Sequence, residues 1–181
     1  MYSIRWESYS LKKRGENVKY QGRKKCKTTN NLVICDNKYH ILAGRHSAIS
    51  DCIDGNHNDS FELVQQIEIL IETLKKADVV LKNSHLNADA GFDTKKFIET
   101  IEKKHEMIAN IPKNKRNASQ LVQEYRYLGE YIYTFRKKIE TIFAWLDSYK
   151  RILIRFEYKA QNFKAWLLIA ATLINLRTKF N

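Results

Sequence analysis

Asp89 follows a short β-rich segment and precedes a glycine-containing turn. Residues 85–88 (HLNA) predict a strand that ends at Asp89, and residues 90–92 (AGF) predict the turn. Side chains at the carboxyl ends of strands in α/β sheets face the usual ligand crevice, where a carboxylate can bind a divalent metal ion. Asp is also a common turn residue, so the position alone leaves a purely structural role open.

Three polar side chains share one predicted helical face farther along the chain. Tyr133, Arg136 and Glu140 are spaced i, i+3 and i+7, which places a hydroxyl, a guanidinium and a carboxylate side by side. Carboxylate oxygens bind Mg²⁺ and arginine binds phosphate through paired hydrogen bonds, so the set suits phosphodiester chemistry. A solvated face with an Arg136–Glu140 ion pair is the alternative when the helix is considered alone.

Four sequence blocks resemble insertion-sequence transposases of the DDE type. They are YQGRKKCKTTN (20–30), GNHNDS (55–60), ADAGFD (88–93) and FRKKIETIFAWLDSYKRILIRFEYKAQNFKAWLLIA (135–170). The resemblance keeps the order of the blocks and covers nearly the whole chain. It implies that Asp89 is the second catalytic carboxylate. It also implies that Glu140 is the third, within a Tyr-x2-Arg-x3-Glu signature completed by Tyr133 and Arg136.

The same resemblance implies an RNase H-like fold and phosphoryl transfer on double-stranded DNA, at the element ends and at the target. Carboxylates would hold two Mg²⁺ (or Mn²⁺) ions, one activating the nucleophile and one stabilising the leaving oxygen. Two other functions stay open. One is a non-catalytic DNA-binding remnant of the same fold. The other is an RNase H-type nuclease for RNA–DNA hybrids, which the spacing of Tyr133, Arg136 and Glu140 disfavours.

The first carboxylate of that family has no counterpart at the expected position. The family places an Asp at the end of the first strand, and counting back from residues 13–15 (KRG) puts that position on Trp6. An indole cannot bind Mg²⁺. Glu7 is adjacent, but neighbouring strand residues point to opposite faces, so we expect Glu7 to point away unless a bulge turns it. A chain without this carboxylate is expected not to cut or join DNA alone.

Two further features differ from the family's pattern. In some groups the signature continues to a Lys seven residues after the Glu, a position that is Asp147 here, with Lys150 as the nearest lysine. The family also carries a region ahead of the first strand. We therefore expect residues 1–181 to be one N-terminally truncated DDE-type domain, from a split reading frame or a decayed copy. Its candidate partners are a second copy and an upstream-frame chain.

The charge distribution favours a polyanionic partner. The formal net charge is +12; residues 1–30 hold 9 basic and 2 acidic residues, and residues 131–181 hold 10 and 3, around a slightly acidic middle. Two basic flanks suit DNA lying across carboxylates. A basic surface without a partner is the alternative. The candidate phosphate contacts are Lys24, Lys25, Arg151 and Arg155.

Alternating strand and helix patterns predict one α/β domain, a mixed sheet flanked by helices. Strands are predicted over 2–6, 18–20, 85–88 and 106–111, with a hairpin over 31–43, and helices over 60–76, 94–104, 131–155 and 160–178. Asp59 with Glu62 predicts a capping box and Asp93 a second cap. Trp145 and Trp166 are interpreted as core residues.

Three cysteines without a CxxC pair, and no signal peptide, predict reduced thiols in the cytoplasm. The longest apolar run, residues 165–174, is half of a membrane span, so we expect no membrane attachment. His57 and Asp59 in GNHNDS are interpreted as structural rather than metal-binding.

Overall fold

The sheet is built around one long strand at the start of the chain. The computed structural model describes residues 1–12, 14–41, 49–57, 61–114 and 128–180. The strands are β1 (Tyr2–Leu11), β2 (Lys19–Gln21), β3 (Cys26–Asp36), β4 (Ile53–Asp54), β5 (His85–Asn87), β6 (Ile108–Asn110) and β7 (Ile154–Arg155). Their order is β2-β3-β1-β5-β6, with β4 added to β3 and β7 added to β1. β1 is antiparallel to β3 and parallel to β5, and Ser3 lies opposite Asn87.

Helices cover both faces of this sheet. They are α1 (Leu63–Lys76), α2 (Lys95–Glu99, continued by a π-helical turn, Thr100–Lys104), α3 (Glu130–Thr134), α4 (Lys137–Asp147), α5 (Lys150–Leu153) and α6 (Ala160–Phe180). Ile4 and Trp6 of β1 belong to the core under α1 and α2. Tyr9 belongs to the opposite core, with residues of α4 and α6. The prediction of a mixed sheet flanked by helices, consistent with an RNase H-like fold, is confirmed.

The alternation along β1 decides which side chains can meet α4. Successive side chains in a strand point to opposite faces. Since Ile4 and Trp6 point toward α1 and α2, the residues between and after them, Arg5 and Glu7, point toward α4. This is the face on which Glu140 lies.

Several predicted element boundaries are wrong. The hairpin predicted over 31–43 is confirmed only as a chain reversal: Ile41 forms an antiparallel bridge with Cys35, and the Asp36 amide donates to His40 O (3.0 Å). The regular partner of β3 is β1, and a further bridge joins Val33 to Ile49. Helix α1 begins at Leu63, because Glu62 itself is the N-cap, with φ 48° and no side-chain capping bond. The other half of that predicted capping box, Asp59, lies outside the described residues.

The cap of α2 is Thr94 rather than Asp93. The Thr94 hydroxyl accepts a hydrogen bond from the Phe97 amide (3.3 Å). Asp93 instead accepts one from the Asn114 amide (2.8 Å), which ties the segment after β6 to the start of α2. A one-residue shift of this kind is within the usual uncertainty of helix boundaries.

The helix predicted over 131–155 is divided into α3, α4, α5 and the short strand β7. Between α3 and α4 the backbone keeps right-handed helical turns. The Arg136 amide donates to Tyr133 O (3.0 Å), and the Ile139 amide donates to Arg136 O (3.2 Å), in each case to the residue three positions earlier. The helical spacing of the signature therefore survives this break. After α4, extended backbone at Tyr149 (φ −83°, ψ 106°) redirects the chain toward β1.

No helix among the described residues combines the length and the apolar character needed to span a bilayer.

Candidate functional site

Two buried asparagines at the ends of β5 and β6 hold α3 over the edge of the sheet. The Asn87 side-chain amide donates to Ile132 O (3.0 Å), and Asn110 Oδ1 accepts from the Gly129 amide (2.9 Å). The two side chains are linked to each other at 2.8 Å. Because these partners are backbone groups next to or within α3, the asparagines fix where the signature begins. The sequence analysis missed both; the available signal was an amide residue at the end of two successive strand patterns.

Arg136 brings the two predicted carboxylates together. Its Nη1 lies 2.6 Å from Asp89 Oδ1, and its Nη2 lies 3.3 Å from Glu140 Oε1. The Tyr133 ring packs against the same guanidinium, with its centroid 5.5 Å from the guanidinium carbon. Burial raises the pKa of Tyr133; the Arg136 charge opposes this rise, and the nearby Asp89 and Glu140 add to it, so the hydroxyl remains protonated at neutral pH. All four residues named for this site thus lie in one cluster.

Arg5 is the member of the cluster that the sequence analysis missed. From β1, its Nη1 donates a hydrogen bond to Glu140 Oε1 (2.9 Å), and its Nε lies 3.9 Å from Asp89 Oδ2. Two guanidinium groups, those of Arg5 and Arg136, therefore neutralise two carboxylates. The signal for this placement was present in the sequence, because apolar Ile4 and Trp6 require Arg5 to face the other side of the sheet.

Trp6 does not lie at the site, although counting back from residues 13–15 (KRG) places the first carboxylate position there. It is 8% exposed and belongs to the core under α1 and α2. The β1 residue that faces the carboxylates is Arg5, one position earlier. An error of one residue in a strand reverses the face, which is why the count failed.

Glu7 also departs from expectation, because it shares the face of Arg5 instead of pointing away. Its carboxylate is occupied elsewhere: it accepts a hydrogen bond from the Ser8 amide (3.2 Å) and lies 3.8 Å from Lys24 Nζ. Lys24 reaches it from the turn between β2 and β3 and also donates to Ser8 O (2.8 Å). Lys25, in the same turn, is exposed.

Asp147 stands where some groups of the family have a lysine, and Lys24 supplies a cation near it from a different element. Burial raises the pKa of Asp147, and the Lys24 charge opposes this shift. Burial likewise raises the pKa of Glu7, with Lys24 opposing and Asp147 contributing to the rise. Keeping both Glu7 and Asp147 ionised therefore costs free energy in the folded protein.

We expect Glu7→Gln to stabilise the fold at pH 7, because it removes a carboxylate whose ionised form is disfavoured by burial. The raised pKa of Glu7 means that its ionised form is disfavoured in the folded state, and this cost disappears as the pH falls toward the ordinary value of 4.5. Urea unfolding at pH 7 and at about one pH unit below 4.5 measures the difference; the gain should be present at the higher pH and absent at the lower. A loss of stability at pH 7 would show that the contact with Lys24 outweighs burial.

The two arginines predicted to contact phosphate have different environments. Arg155 is 0% exposed, and its guanidinium donates to the carbonyls of Glu157 (3.0 Å) and Tyr158 (2.9 Å), so it cannot reach a phosphate in this arrangement. The prediction that Arg155 lies in a helix over 131–155 is wrong, since it lies in β7. Arg151 is exposed on α5, and its guanidinium carbon lies 4.9 Å from the centre of the Trp166 ring.

The core prediction is wrong for Trp166, which is 37% exposed and is covered by Arg151. Trp145 is half-buried and packs against the core formed with α4 and α6, beside Tyr39. His57 stacks on the ring of Phe61 at 3.5 Å, an apolar contact typical of a structural role.

The donor set at the site does not fit a pair of divalent ions. Among the described residues, no group of three or more His, Cys, Asp or Glu side chains is arranged to hold a metal ion. Asp89 and Glu140 supply two carboxylates, and their oxygens already contact Arg5 and Arg136. A guanidinium on β1 adds positive charge where a further anionic ligand is needed.

The family of the chain follows from a comparison of its sequence with known protein families. A family model described as the transposase DDE domain matches residues 3–176, and the chain therefore belongs to the transposase DDE-domain family. This family acts on DNA and generally uses divalent metal ions. Comparison with curated proteins and with solved structures gave no match.

Proposed function

We propose that this chain is a DNA-binding, transposase-type domain that does not itself cut or join DNA. The observation that carries the proposal is the position of Arg5, whose guanidinium contacts both Asp89 and Glu140. Two-metal phosphoryl transfer requires anionic ligands around both ions. A cation in the centre of the cluster opposes metal binding, and so favours the non-catalytic DNA-binding function over the catalytic one.

The same cluster supports DNA binding without a metal. An isolated pair of carboxylates repels a phosphodiester backbone. Here Arg5 and Arg136 neutralise Asp89 and Glu140, so a DNA strand can cross this surface without an added cation. Free thiols at Cys26, at the start of β3, and at the buried Cys35 and Cys52 agree with the cytoplasm as the proposed location.

Basic groups lie farther along the face of β1 that carries the cluster. Lys24 contacts Ser8, three residues beyond Arg5, a distance of about 10 Å along a strand. Lys25 belongs to the same turn. Arg151 lies on α5, which leads into β7 beside the end of β1. We propose Lys24, Lys25 and Arg151 as phosphate contacts; Arg155 is buried and is not one of them.

Sequence-independent duplex binding is expected, with a strong salt dependence. Each phosphate contact contributes about −0.9 to the slope of log affinity against log salt. Replacing Lys24, Lys25 and Arg151 together with alanine should therefore reduce the slope by about 2–3 and weaken binding at low salt. Fluorescence anisotropy with a labelled duplex measures both quantities. Lys75→Ala, an exposed lysine on α1, is the matched control, and absence of wild-type binding at low salt would remove DNA as the partner.

The absence of cutting is tested separately. The purified chain should not nick supercoiled plasmid in Mg²⁺ or Mn²⁺ above the level of buffer alone. Asp89→Asn provides the control for contaminating nuclease. Nicking by the wild-type chain that disappears in Asp89→Asn would contradict the proposal and would show that another group completes the site.

A further inference from the structure

A cleft of about 340 Å³ lies between the turn after β3, the end of α4 and the end of α6. Its walls include three aromatic side chains, those of Tyr39, Trp145 and Tyr149. The ring centroids of Tyr39 and Trp145 are 5.5 Å apart, with their planes tilted by 44°. This volume falls within the range of small-molecule sites. None of the residues that line the cleft belongs to the carboxylate cluster.

The wall formed by Tyr39 is held in an unusual backbone conformation. Tyr39 has φ 64°, in the left-handed region that bulky residues rarely adopt. The Asp36 carboxylate maintains it by accepting hydrogen bonds from the amides of Lys38 (2.7 Å) and His40 (2.9 Å), on either side of Tyr39. Lys138 supports the ring, with its Nζ 4.7 Å from the centroid. A conformation of this kind persists only where the surrounding structure stabilises it, so these contacts fix the Tyr39 ring as one wall of the cleft.

The charges around the cleft select an anion. Lys38 and Arg177 are among its lining residues, and the described lining contains no Asp or Glu. Aromatic rings beside an arginine suit a molecule with a flat base and a phosphate. The base stacks on an aromatic face, and the guanidinium binds the phosphate through paired hydrogen bonds.

The cleft is separate from the carboxylate cluster. Trp145 is five residues after Glu140 on α4, and at about 100° per residue the two side chains leave different sides of the helix. A ligand in the cleft therefore does not compete with Arg5 and Arg136 for Asp89 and Glu140.

From these features we propose that the cleft binds one nucleotide, with its base on Trp145 and Tyr39 and its phosphate on Arg177 and Lys38. The inference rests on the proposed DNA-binding function in one respect: the nucleotide is then an unpaired one at the end of a duplex. A free nucleotide has the same chemistry, and the two sources are distinguished by experiment.

The test compares a blunt duplex with the same duplex carrying one unpaired terminal 2-aminopurine. The overhang should increase affinity about tenfold, the effect of stacking one base on an aromatic side chain, and protein binding should quench its fluorescence. Trp145→Ala and Arg177→Ala should remove this advantage and leave blunt-duplex affinity unchanged. Trp166→Ala, an exposed indole outside the cleft, should retain it. Trp145→Phe should also retain most of it, which guards against a folding defect in the alanine variant.

Calorimetric titration with dAMP, adenosine and inorganic phosphate identifies the source. Binding of dAMP that is lost in Trp145→Ala, with no overhang advantage, supports the cleft as a site for a free nucleotide. An unchanged affinity for the overhang together with no binding of dAMP overturns the proposal. Loss of blunt-duplex binding with retained dAMP binding contradicts the proposed DNA function and leaves the nucleotide site supported.

Discussion

Replacing Arg5 with aspartate is expected to produce a protein that binds Mn²⁺ where the wild-type chain does not. The substitution removes the guanidinium that contacts Glu140 at 2.9 Å and Asp89 at 3.9 Å. It places a third carboxylate on the same face of β1, so that three anionic side chains surround one position. Carboxylate oxygens in such a group are the ligands that Mg²⁺ and Mn²⁺ prefer.

The stability of this variant should depend on the metal. Without Mn²⁺, three carboxylates share only Arg136, and their repulsion should lower the melting temperature below that of the wild-type protein. A ligand at about 100 times its dissociation constant stabilises the folded state by about 2.7 kcal/mol. Thermal unfolding with and without Mn²⁺ measures this recovery, and the electron paramagnetic resonance signal of free Mn²⁺ measures binding directly.

Two variants distinguish the residue assignment from a general loss of positive charge. Arg5→Gln removes the cation without adding a ligand, so it should bind Mn²⁺ much more weakly than Arg5→Asp. Trp6→Asp tests the position obtained by counting along the sequence. Because Trp6 lies in the core under α1 and α2, this change should cost about 3–5 kcal/mol and add no metal binding. Metal-dependent stabilisation in Trp6→Asp but not in Arg5→Asp would reverse the assignment.

Trp6 lies in the core and Arg5 lies at the carboxylates, and this contrast shows which parts of the site could be predicted from the sequence. Asp89 and Glu140 belong to local patterns, a strand end and a helical repeat, and the structure places both beside Arg136. An error of one residue in a helix turns the direction of a side chain by about 100°, whereas in a strand it moves the side chain to the opposite face. The β1 residue was located by counting through an irregular segment, and a strand has a period of two. A shift of one residue then exchanges the core side for the site side.

Long-range pairing explains the other errors. The apolar pattern from residue 131 onward predicts one helix, but the pairing of Ser10 with Ile154 and of Leu11 with Arg155 draws the end of that segment into the sheet. Nothing local in the sequence reports a partner so far away. Similarly, α6 carries apolar residues on more than one side, so its pattern does not indicate that Trp166 faces solvent.

The second large expected effect is a loss of stability, and it distinguishes the buried Arg155 from the exposed Arg151. Arg155→Ala should destabilise the protein by about 3 kcal/mol, since buried hydrogen-bond partners left unpaired cost about 1–3 kcal/mol each. Its guanidinium donates to the carbonyls of Glu157 and Tyr158 and lies 5.4 Å from the Phe163 ring centroid. Burial lowers the pKa of Arg155, which offsets part of this loss because the charged form is costly to bury.

Arg151→Ala should have the opposite effects, with little change in stability and a loss of DNA affinity. Arg151 is exposed, and its Nη1 lies 3.7 Å from Oε1 of Glu157, so the contact is a long ion pair that solvent screens from the arginine side. Its removal should change stability by less than about 1 kcal/mol, including the lost contact with Trp166. It should nevertheless reduce duplex affinity and lower the salt slope by about 1, because one phosphate contact is lost.

Urea unfolding and duplex anisotropy on the same preparations separate these two roles. Arg155→Lys is the informative intermediate: it keeps the positive charge but cannot reproduce the forked pair of hydrogen bonds to Glu157 and Tyr158, so it should recover only part of the lost stability. Tyr158 O also accepts from the Glu16 amide at 2.9 Å, so the loss should spread to the segment that precedes β2. If Arg155→Ala instead kept full stability and weakened DNA binding, the side chain would have to leave the core on binding. In that case the buried position would describe only the free protein.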